Sequence, residues 1–169
     1  MGITEGPVYY QMLIGEEGIK VNEIACRLGG AYEDHYMVFE TGVDTVDLLI
    51  DSSLGRKPCL GSFSSCPFPE HQHYISVPLV FTKPGIVAEN GPAADLLKVP
   101  GVIGGGYLLK SGTHVGRIEN STRRAAWAIV TGTTPGEVNA ALDGVFTRLN
   151  IRNIYGRNMV MDFRKDAYA

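Results

Sequence analysis

The sequence predicts an α+β chain, in which a β-hairpin with two helices precedes a small α+β layer that has a mostly antiparallel sheet. Three observations support this fold class: strand-like segments on both sides of Gly18, a capped stretch at 45–54 with apolar residues at helical spacing, and an apolar run at 125–130 that leads into a capped helix with one apolar face. Composition changes at Arg56, where a segment rich in proline, serine and cysteine begins. We therefore predict two parts, residues 1–57 and residues 58–169.

Composition restricts the classes of function. Of the 169 residues, 44% are hydrophobic and 20% are charged, which is typical of a globular chain. The net charge of −3, with scattered lysines and arginines, disfavours a nucleic-acid or membrane partner, and no apolar run is long enough to cross a bilayer. The three cysteines form an odd and sparse set, which indicates reduced thiols and a cytoplasmic location.

Residues 8–14 and 19–25 are rich in β-branched and aromatic side chains and are predicted to pair as a hairpin. A three-residue loop that ends at Gly18, a residue suited to positive φ, places Gln11 opposite Glu23 on one face. A two-residue loop would shift the register and place the two side chains on opposite faces. The loop length therefore decides whether these side chains can act together.

The segments after the hairpin predict helices. Residues 31–40 are expected to form a helix that stops at Gly42, and Asp44 is a suitable N-cap for a second helix over 45–54. In the second part, Thr134 is the predicted N-cap of the longest helix. The elements predicted there are strands at 74–81 (weakened by Pro78), 102–109, 125–130 and 159–163, and helices at 92–97 and 135–149.

Gln11, Glu23 and Arg27 are predicted to lie on one face of the hairpin. Gln and Glu oxygens suit magnesium, which takes one or two protein carboxylates together with phosphate oxygens and water. An arginine on the same face can clamp phosphate oxygens. Gly29 and Gly30 break the strand before a helix, whose N-terminus attracts anions. A solvated polar face is the simpler interpretation, and the residue pattern by itself leaves both open.

Residues 21–30, Val-Asn-Glu-Ile-Ala-Cys-Arg-Leu-Gly-Gly, resemble the last motif of the ATP-grasp domain, which is a hairpin with an upstream metal ligand, then Glu-x-Asn-x-Arg and a glycine pair. The upstream ligand is usually Glu in that family, but it is Gln in the large subunit of carbamoyl phosphate synthetase, as Gln11 is here. Ala25 occupies the family's Asn position, so the second magnesium ion of the family is either absent here or held otherwise. L-amino acid (dipeptide) ligases are similar in having a small residue there and the same Arg-Leu-Gly-Gly continuation.

The second part resembles the C-terminal domain of such ligases in the order of its segments only. Those segments are residues 100–102, 109–112 and 120–124, followed by the strand and the long helix.

The resemblance implies the C-terminal part of an ATP-dependent carboxylate–amine ligase that works through an acyl phosphate, with ATP and Mg²⁺ as cofactors. It implies Gln11 and Glu23 as metal ligands, Arg27 as the catalytic residue, and Glu23, Arg27, Gly29 and Gly30 as contacts to the nucleotide. The partners would be a small-molecule carboxylate and an amine.

The subdomain that cradles ATP in that family, with its lysines and glycine-rich lid, has no counterpart in this sequence. We therefore expect an N-terminal part of the same chain to supply it, and we expect the 169 residues alone to be inactive. A homo-oligomer is a further expectation. The alternative function is a non-catalytic ligand-binding or assembly module derived from the same fold.

Three other features of the sequence are additional candidates. Residues 33–35, Glu-Asp-His, follow the glycine pair and are candidates for contact with the acceptor or its amine. Cys26 is predicted to be a buried structural cysteine and not a nucleophile. A Cys₂His₂ zinc site is an alternative to ordinary loop residues, although the spacing fits no standard finger; its candidate ligands are Cys59, Cys66, His71 and His73.

Overall fold

The structure is a computed structural model that describes residues 2, 6–59 and 73–162. The chain divides into two compact units, Met1–Glu70 and His71–Ala169. The predicted boundary between residues 57 and 58 stays a prediction. Within the described residues, no helix combines the length and the apolar character that crossing a membrane requires.

The first unit contains a β-hairpin followed by two helices, as the sequence predicts. Its elements are β1 (Tyr9–Gly15), β2 (Gly18–Ala25), α1 (Glu33–Thr41) and α2 (Thr45–Ser53). Helix α1 ends at Gly42, which adopts a φ of 70° and donates its N–H to the carbonyl of Val38. Asp44 caps α2, because its carboxylate accepts the N–H groups of Val46 and Asp47. Both predicted helix stop and start signals are therefore confirmed.

The turn of the hairpin differs from the prediction. Gly15 pairs with Gly18, so two residues and not three lie between the paired positions, although Gly18 has the expected positive φ of 93°. This register continues to Met12, and an irregularity between Gln11 and Met12 then shifts it by one residue. The shift is a β-bulge in which Asn22 is the extra residue of β2. Because the bulge offsets the short turn, the pairing beyond it is the predicted one.

The hairpin carries a large apolar surface. None of the described residues of the first unit is fully buried. Along the hairpin, six large hydrophobic side chains are at least half exposed: Tyr10, Met12, Leu13, Ile14, Ile19 and Val21. Contiguous exposed apolar surface of this kind marks an interaction site or an aggregation risk.

We expect the 169-residue chain to self-associate through this surface. Ile14 and Ile19 are paired across the hairpin and are 82% and 66% exposed. Replacing both by threonine keeps β propensity and removes apolar area, so light scattering after gel filtration should give a lower mass. Ile154→Thr, at a side chain that is 56% exposed in the second unit, is the matched control and should leave the mass unchanged. An equal mass for the double variant and the unchanged chain would contradict this expectation.

Within the described residues, the second unit consists of two antiparallel sheets, two helices and a 3₁₀ turn. Its elements are β3 (Tyr74–Ser76), β4 (Leu79–Val80), β5 (Gly85–Asn90), α3 (Ala93–Leu96), β6 (Val102–Tyr107), β7 (His114–Val115), the 3₁₀ turn (Ser121–Arg123), β8 (Ala126–Gly132), α4 (Pro135–Arg148) and β9 (Ile151–Asn153). Strand β8 pairs with β3, β4 and β6, and β5 pairs with β7 and β9. The predicted α+β class with mostly antiparallel sheets is confirmed.

Some bounds and strands differ from the prediction. The single strand predicted at 74–81 is two strands, β3 and β4, with Pro78 between them, since proline lacks the N–H that a ladder needs. The strand predicted at 159–163 is wrong for its described residues: Val160 makes only an isolated bridge with Thr82. Phe163 lies outside the described residues. Strands β5, β7 and β9 were not predicted.

The core of the second unit forms where α4 packs against β8. Thr134 caps α4 by accepting the N–H of Glu137 at 3.2 Å, as predicted. The Glu137 carboxylate in turn accepts the backbone N–H of Thr133, and this bond together with the Thr133 hydroxyl holds the pKa of Glu137 below its usual value. The largest fully buried apolar side chains are Val80, Val87, Leu96, Ile129, Val130, Val145, Leu149 and Ile151.

Candidate magnesium and phosphate site

The bulge in β2 determines which side chains meet on the hairpin. Gln11 faces Glu23 and Tyr9 faces Ala25. Directly opposed residues have Cβ atoms about 5 Å apart and project from the same face, and residues two apart on one strand share a face. The predicted pairing of Gln11 with Glu23 is confirmed, although the predicted loop length was wrong.

Three contacts hold the Arg27 side chain over this face. Its guanidinium carbon lies 5.3 Å from the centroid of the Tyr9 ring. Its Nη1 donates to the carbonyl of Leu28 at 2.9 Å, and its Nη2 lies 3.4 Å from Glu23 Oε1. The aromatic face and the carbonyl orient a planar cation whose remaining N–H groups can reach a ligand. The structure thus brings Arg27 and Glu23 together, as the sequence predicts.

Gln11 has a neighbour that the sequence reasoning missed. The Asn22 side chain donates its Nδ2–H to Gln11 Oε1 at 2.6 Å. In a regular hairpin, Asn22 and Glu23 would point to opposite faces. The bulge brings Asn22 to Gln11, and no sequence signal for the bulge was recognised.

The glycine pair is followed by an unusual helix start. Helix α1 begins at Glu33, two residues later than predicted, after Tyr32 in the left-handed region with a φ of 66°. Glu33 Oε2 accepts the N–H of Ala31 at 2.6 Å, and its carboxylate fills the space that a Cβ on Gly29 would take. Glycine at 29 therefore lets Glu33 fold back onto the chain. The nucleotide contacts assigned to Gly29 and Gly30 stay predictions.

The residues just inside α1 give the first turn an acidic character. Glu33 and Asp34 both lie there, and His35 Nε2 is 3.8 Å from Asp34 Oδ2. Burial, and then the nearby charge of Glu33, raise the pKa of the Tyr36 phenol, so that group keeps its proton at neutral pH. Contact of residues 33–35 with an acceptor substrate stays a prediction.

The donor set on the hairpin fits magnesium better than a softer metal. It provides one carboxylate and one amide oxygen, both exposed, and leaves room for the phosphate and water oxygens that magnesium prefers. Zinc would require several nitrogen or sulfur ligands. Among the described residues, no group of three or more His, Cys, Asp or Glu side chains could hold a metal ion.

The two cysteine predictions have different outcomes. Cys26, which directly follows β2, is exposed, so the prediction of a buried cysteine is wrong. Cys59 is also exposed. Of the other proposed zinc ligands, His73 is described but Cys66 and His71 lie outside the described residues, so the zinc alternative stays a prediction.

Comparison with known proteins gives both sequence and fold relationships. Residues 78–153 match the family model of the L-amino acid ligase C-terminal domain 2. The structure matches that of phosphoribosylglycinamide synthetase from Anaerococcus prevotii with a TM-score of 0.68 at 17% identity, over 86% of this chain and 36% of that one. It matches L-amino acid ligase from Bacillus licheniformis with a TM-score of 0.68 at 18% identity, over 90% of this chain and 37% of that one. No curated protein sequence matches the chain significantly.

Both solved structures are ATP-grasp ligases, and this chain spans little more than a third of either one. At such low identity the structural matches show the fold, and the family model adds a sequence relationship within the second unit. The resemblance to the C-terminal part of an ATP-grasp ligase is therefore confirmed, with residues 78–153 matching the C-terminal domain of the L-amino acid ligases.

Proposed function

We propose that this chain forms the magnesium and phosphate wall of an ATP-dependent carboxylate–amine ligase. The observation that carries the proposal is the alignment of Gln11, Glu23 and Arg27 on one face of the hairpin. In this assignment Gln11 and Glu23 hold magnesium, and Arg27, Gly29 and Gly30 contact the phosphates. The matches to L-amino acid ligase in sequence and in fold support an amino acid as the carboxylate or the amine.

The proposed reaction has two steps. A carboxylate oxygen of the substrate bonds to the γ-phosphorus of ATP while the bond to the β–γ bridging oxygen breaks, which releases ADP and gives an acyl phosphate. An amine nitrogen then bonds to the acyl carbon, phosphate leaves, and the nitrogen loses a proton. Arg27 would stabilise the charge on the transferred phosphoryl group, and positioning and charge neutralisation account for most of the catalysis in such transfers. Bound magnesium would supply further charge neutralisation.

The Glu23–Arg27 ion pair is a suitable resting state for such a site. Both side chains are about half exposed, at 51% and 54%, and the N–O distance of 3.4 Å is long. Exposed pairs of this kind are worth about 0–1 kcal/mol. The pair therefore opens at little cost when Glu23 turns to a cation and Arg27 turns to a phosphate.

We further propose that this wall works with an N-terminal part of the same chain that binds the nucleotide. The matched ligases are longer than this chain, which covers only 36% and 37% of their lengths. In this proposal, the N-terminal part supplies the contacts to the adenine and the inner phosphates. A calorimetric titration should accordingly show no micromolar affinity of the 169-residue chain for magnesium–ATP, and micromolar binding would contradict this division of the site.

The proposal predicts that Arg27 is needed for phosphate binding. With magnesium tripolyphosphate added to the full chain, ³¹P NMR should show concentration-dependent shifts that Arg27→Ala reduces by about tenfold in apparent affinity, because a charge-assisted contact is lost. Arg56→Ala is the matched control, since Arg56 is an exposed arginine of the same unit that pairs with Asp51. Equal losses for both variants would show general charge attraction and would count against the phosphate site.

A further inference from the structure

The bulge in β2 places an amide beside the amide that is proposed to bind magnesium. Regular pairing would give Gln11 a single opposed neighbour, but here it has two, because Glu23 faces it and Asn22 is inserted next to that pair. Asn22 Nδ2 donates to Gln11 Oε1 over 2.6 Å, which is slightly shorter than the usual N–H···O distance. Bulges near active sites commonly re-aim a side chain in this way.

A hydrogen-bond donor of this kind makes a glutamine a better-oriented magnesium ligand. Its terminal group has an oxygen at one end and an NH₂ group at the other, and only the oxygen can bind a cation. Free rotation about its last bond would present the wrong end for part of the time, and Gln11 lies on an exposed strand. The hydrogen bond donated by Asn22 holds the Gln11 oxygen on the side of Asn22 and occupies one of the two lone pairs of that oxygen. The other lone pair remains available for a metal ion.

The position of Asn22 also bears on the departure at residue 25. Ala25 has no side-chain donor or acceptor, so Gln11 and Glu23 are the only two metal ligands assigned on this face. A site with few protein ligands depends strongly on how well each one is oriented.

We propose that Asn22 is a positioning residue of the magnesium site, which acts by holding the carboxamide of Gln11 with its oxygen toward the cation. This inference rests on the proposed function and adds to it a residue that lies outside the Glu-x-Asn-x-Arg pattern. It assigns the β-bulge a role, namely to deliver Asn22 to the face that carries Gln11 and Glu23. Loss of the Asn22 amide should weaken metal affinity only through Gln11.

A double-mutant cycle with Mn²⁺ as the probe tests this inference on the full 169-residue chain. Paramagnetic broadening of backbone amide signals in ¹⁵N-labelled protein reports the Mn²⁺ affinity at the hairpin without any need for activity. Asn22→Ala should lower that affinity by about tenfold, as is usual when a group that orients a metal ligand is removed. In a Gln11→Ala background the same substitution should have no further effect. Asn139→Ala, at an exposed asparagine of α4, is the control and should change nothing.

A second measurement applies without any metal. The side-chain NH₂ signals of Gln11 should move in Asn22→Ala and stay in place in Asn139→Ala, while the backbone signals of β1 and β2 show that the hairpin is intact. Unchanged Gln11 signals would overturn the hydrogen bond on which the inference depends.

The outcomes separate this inference from the proposed function. The positioning role is overturned if Asn22→Ala leaves the Mn²⁺ affinity unchanged, or lowers it equally with and without Gln11. In that case the magnesium site still stands, provided that Glu23→Gln abolishes the hairpin broadening. If Mn²⁺ does not broaden the hairpin of the unchanged chain, or if Glu23→Gln has no effect, both are overturned.

Discussion

Glu23→Gln is expected to remove specific divalent-cation binding from this chain. Glu23 is the carboxylate opposite Gln11, and Arg27 on the same face brings a positive charge that an incoming cation must overcome. Replacing the carboxylate by an uncharged amide of the same size removes the only negative ligand assigned to the site. We expect the Mn²⁺ affinity at the hairpin to fall by about 100-fold or more, which corresponds to about 3 kcal/mol.

Glu16→Gln is the matched control for this variant. Glu16 lies at the tip of the same hairpin and is exposed, so the substitution changes the net charge by the same amount. Mn²⁺ titrations followed by amide broadening should give the same affinity for Glu16→Gln as for the unchanged chain. A similar weakening in both variants would mean that Mn²⁺ responds to overall charge and not to a site.

Leu96→Ala is expected to destabilise the second unit more than any surface change. Leu96 closes α3 and is 0% exposed in the core of that unit. Truncating a fully buried leucine costs about 2–5 kcal/mol, because apolar contacts are lost and a cavity remains. Domains of about 100 residues are stable by only about 5–15 kcal/mol, so this loss is a large fraction of the total.

The neighbouring residue provides the control for Leu96. Leu97 is 53% exposed, and Leu97→Ala should cost well under 1 kcal/mol. Trp127 in β8 is the single tryptophan of the chain, so its fluorescence during urea unfolding reports on the second unit alone. Equal midpoints for the two variants would contradict the assignment of Leu96 to the core.

The first unit was predictable from local signals because each of them acts within a few residues. Gly42 marks the end of α1 by its positive φ, and Asp44 marks the start of α2 by side-chain capping. Both signals can be recognised in the sequence. The pairing of Gln11 with Glu23 was predicted from an incorrect turn length. A two-residue turn and a one-residue bulge give the same sum of residue numbers as a three-residue loop, so the correct pairing followed from two compensating differences.

The second unit contains strands that the sequence pattern predicts, such as β8, and three strands that it does not. Strand β8 is a continuous apolar run and was predicted, since it is buried and nearly all its residues are apolar. Strands β7 and β9 have two and three residues, too short for a period of two to be visible. Strand β5 begins with Gly85 directly after a proline, which reads as a turn. Tertiary pairing of these three short segments, and not local preference, makes them a sheet.

The candidate site could be predicted in its members but not in its contacts. The motif in residues 21–30 identified Glu23 and Arg27 by resemblance. The contacts of Tyr9 with Arg27 and of Asn22 with Gln11 depend on the register and on the bulge, which are set by the three-dimensional pairing. The side chains that orient the proposed ligands could therefore be identified only from the structure.

The most direct test of the magnesium and phosphate wall is to map where Mn²⁺ binds on the unchanged 169-residue chain in the presence of tripolyphosphate. Asp44, Asp47 and Asp51 line a separate acidic depression in the first unit and provide an internal competitor. We predict that at low Mn²⁺ the amide broadening is centred on Gln11 and Glu23. Broadening centred on Asp44, Asp47 and Asp51, or spread evenly over the acidic surface, would contradict the proposed function.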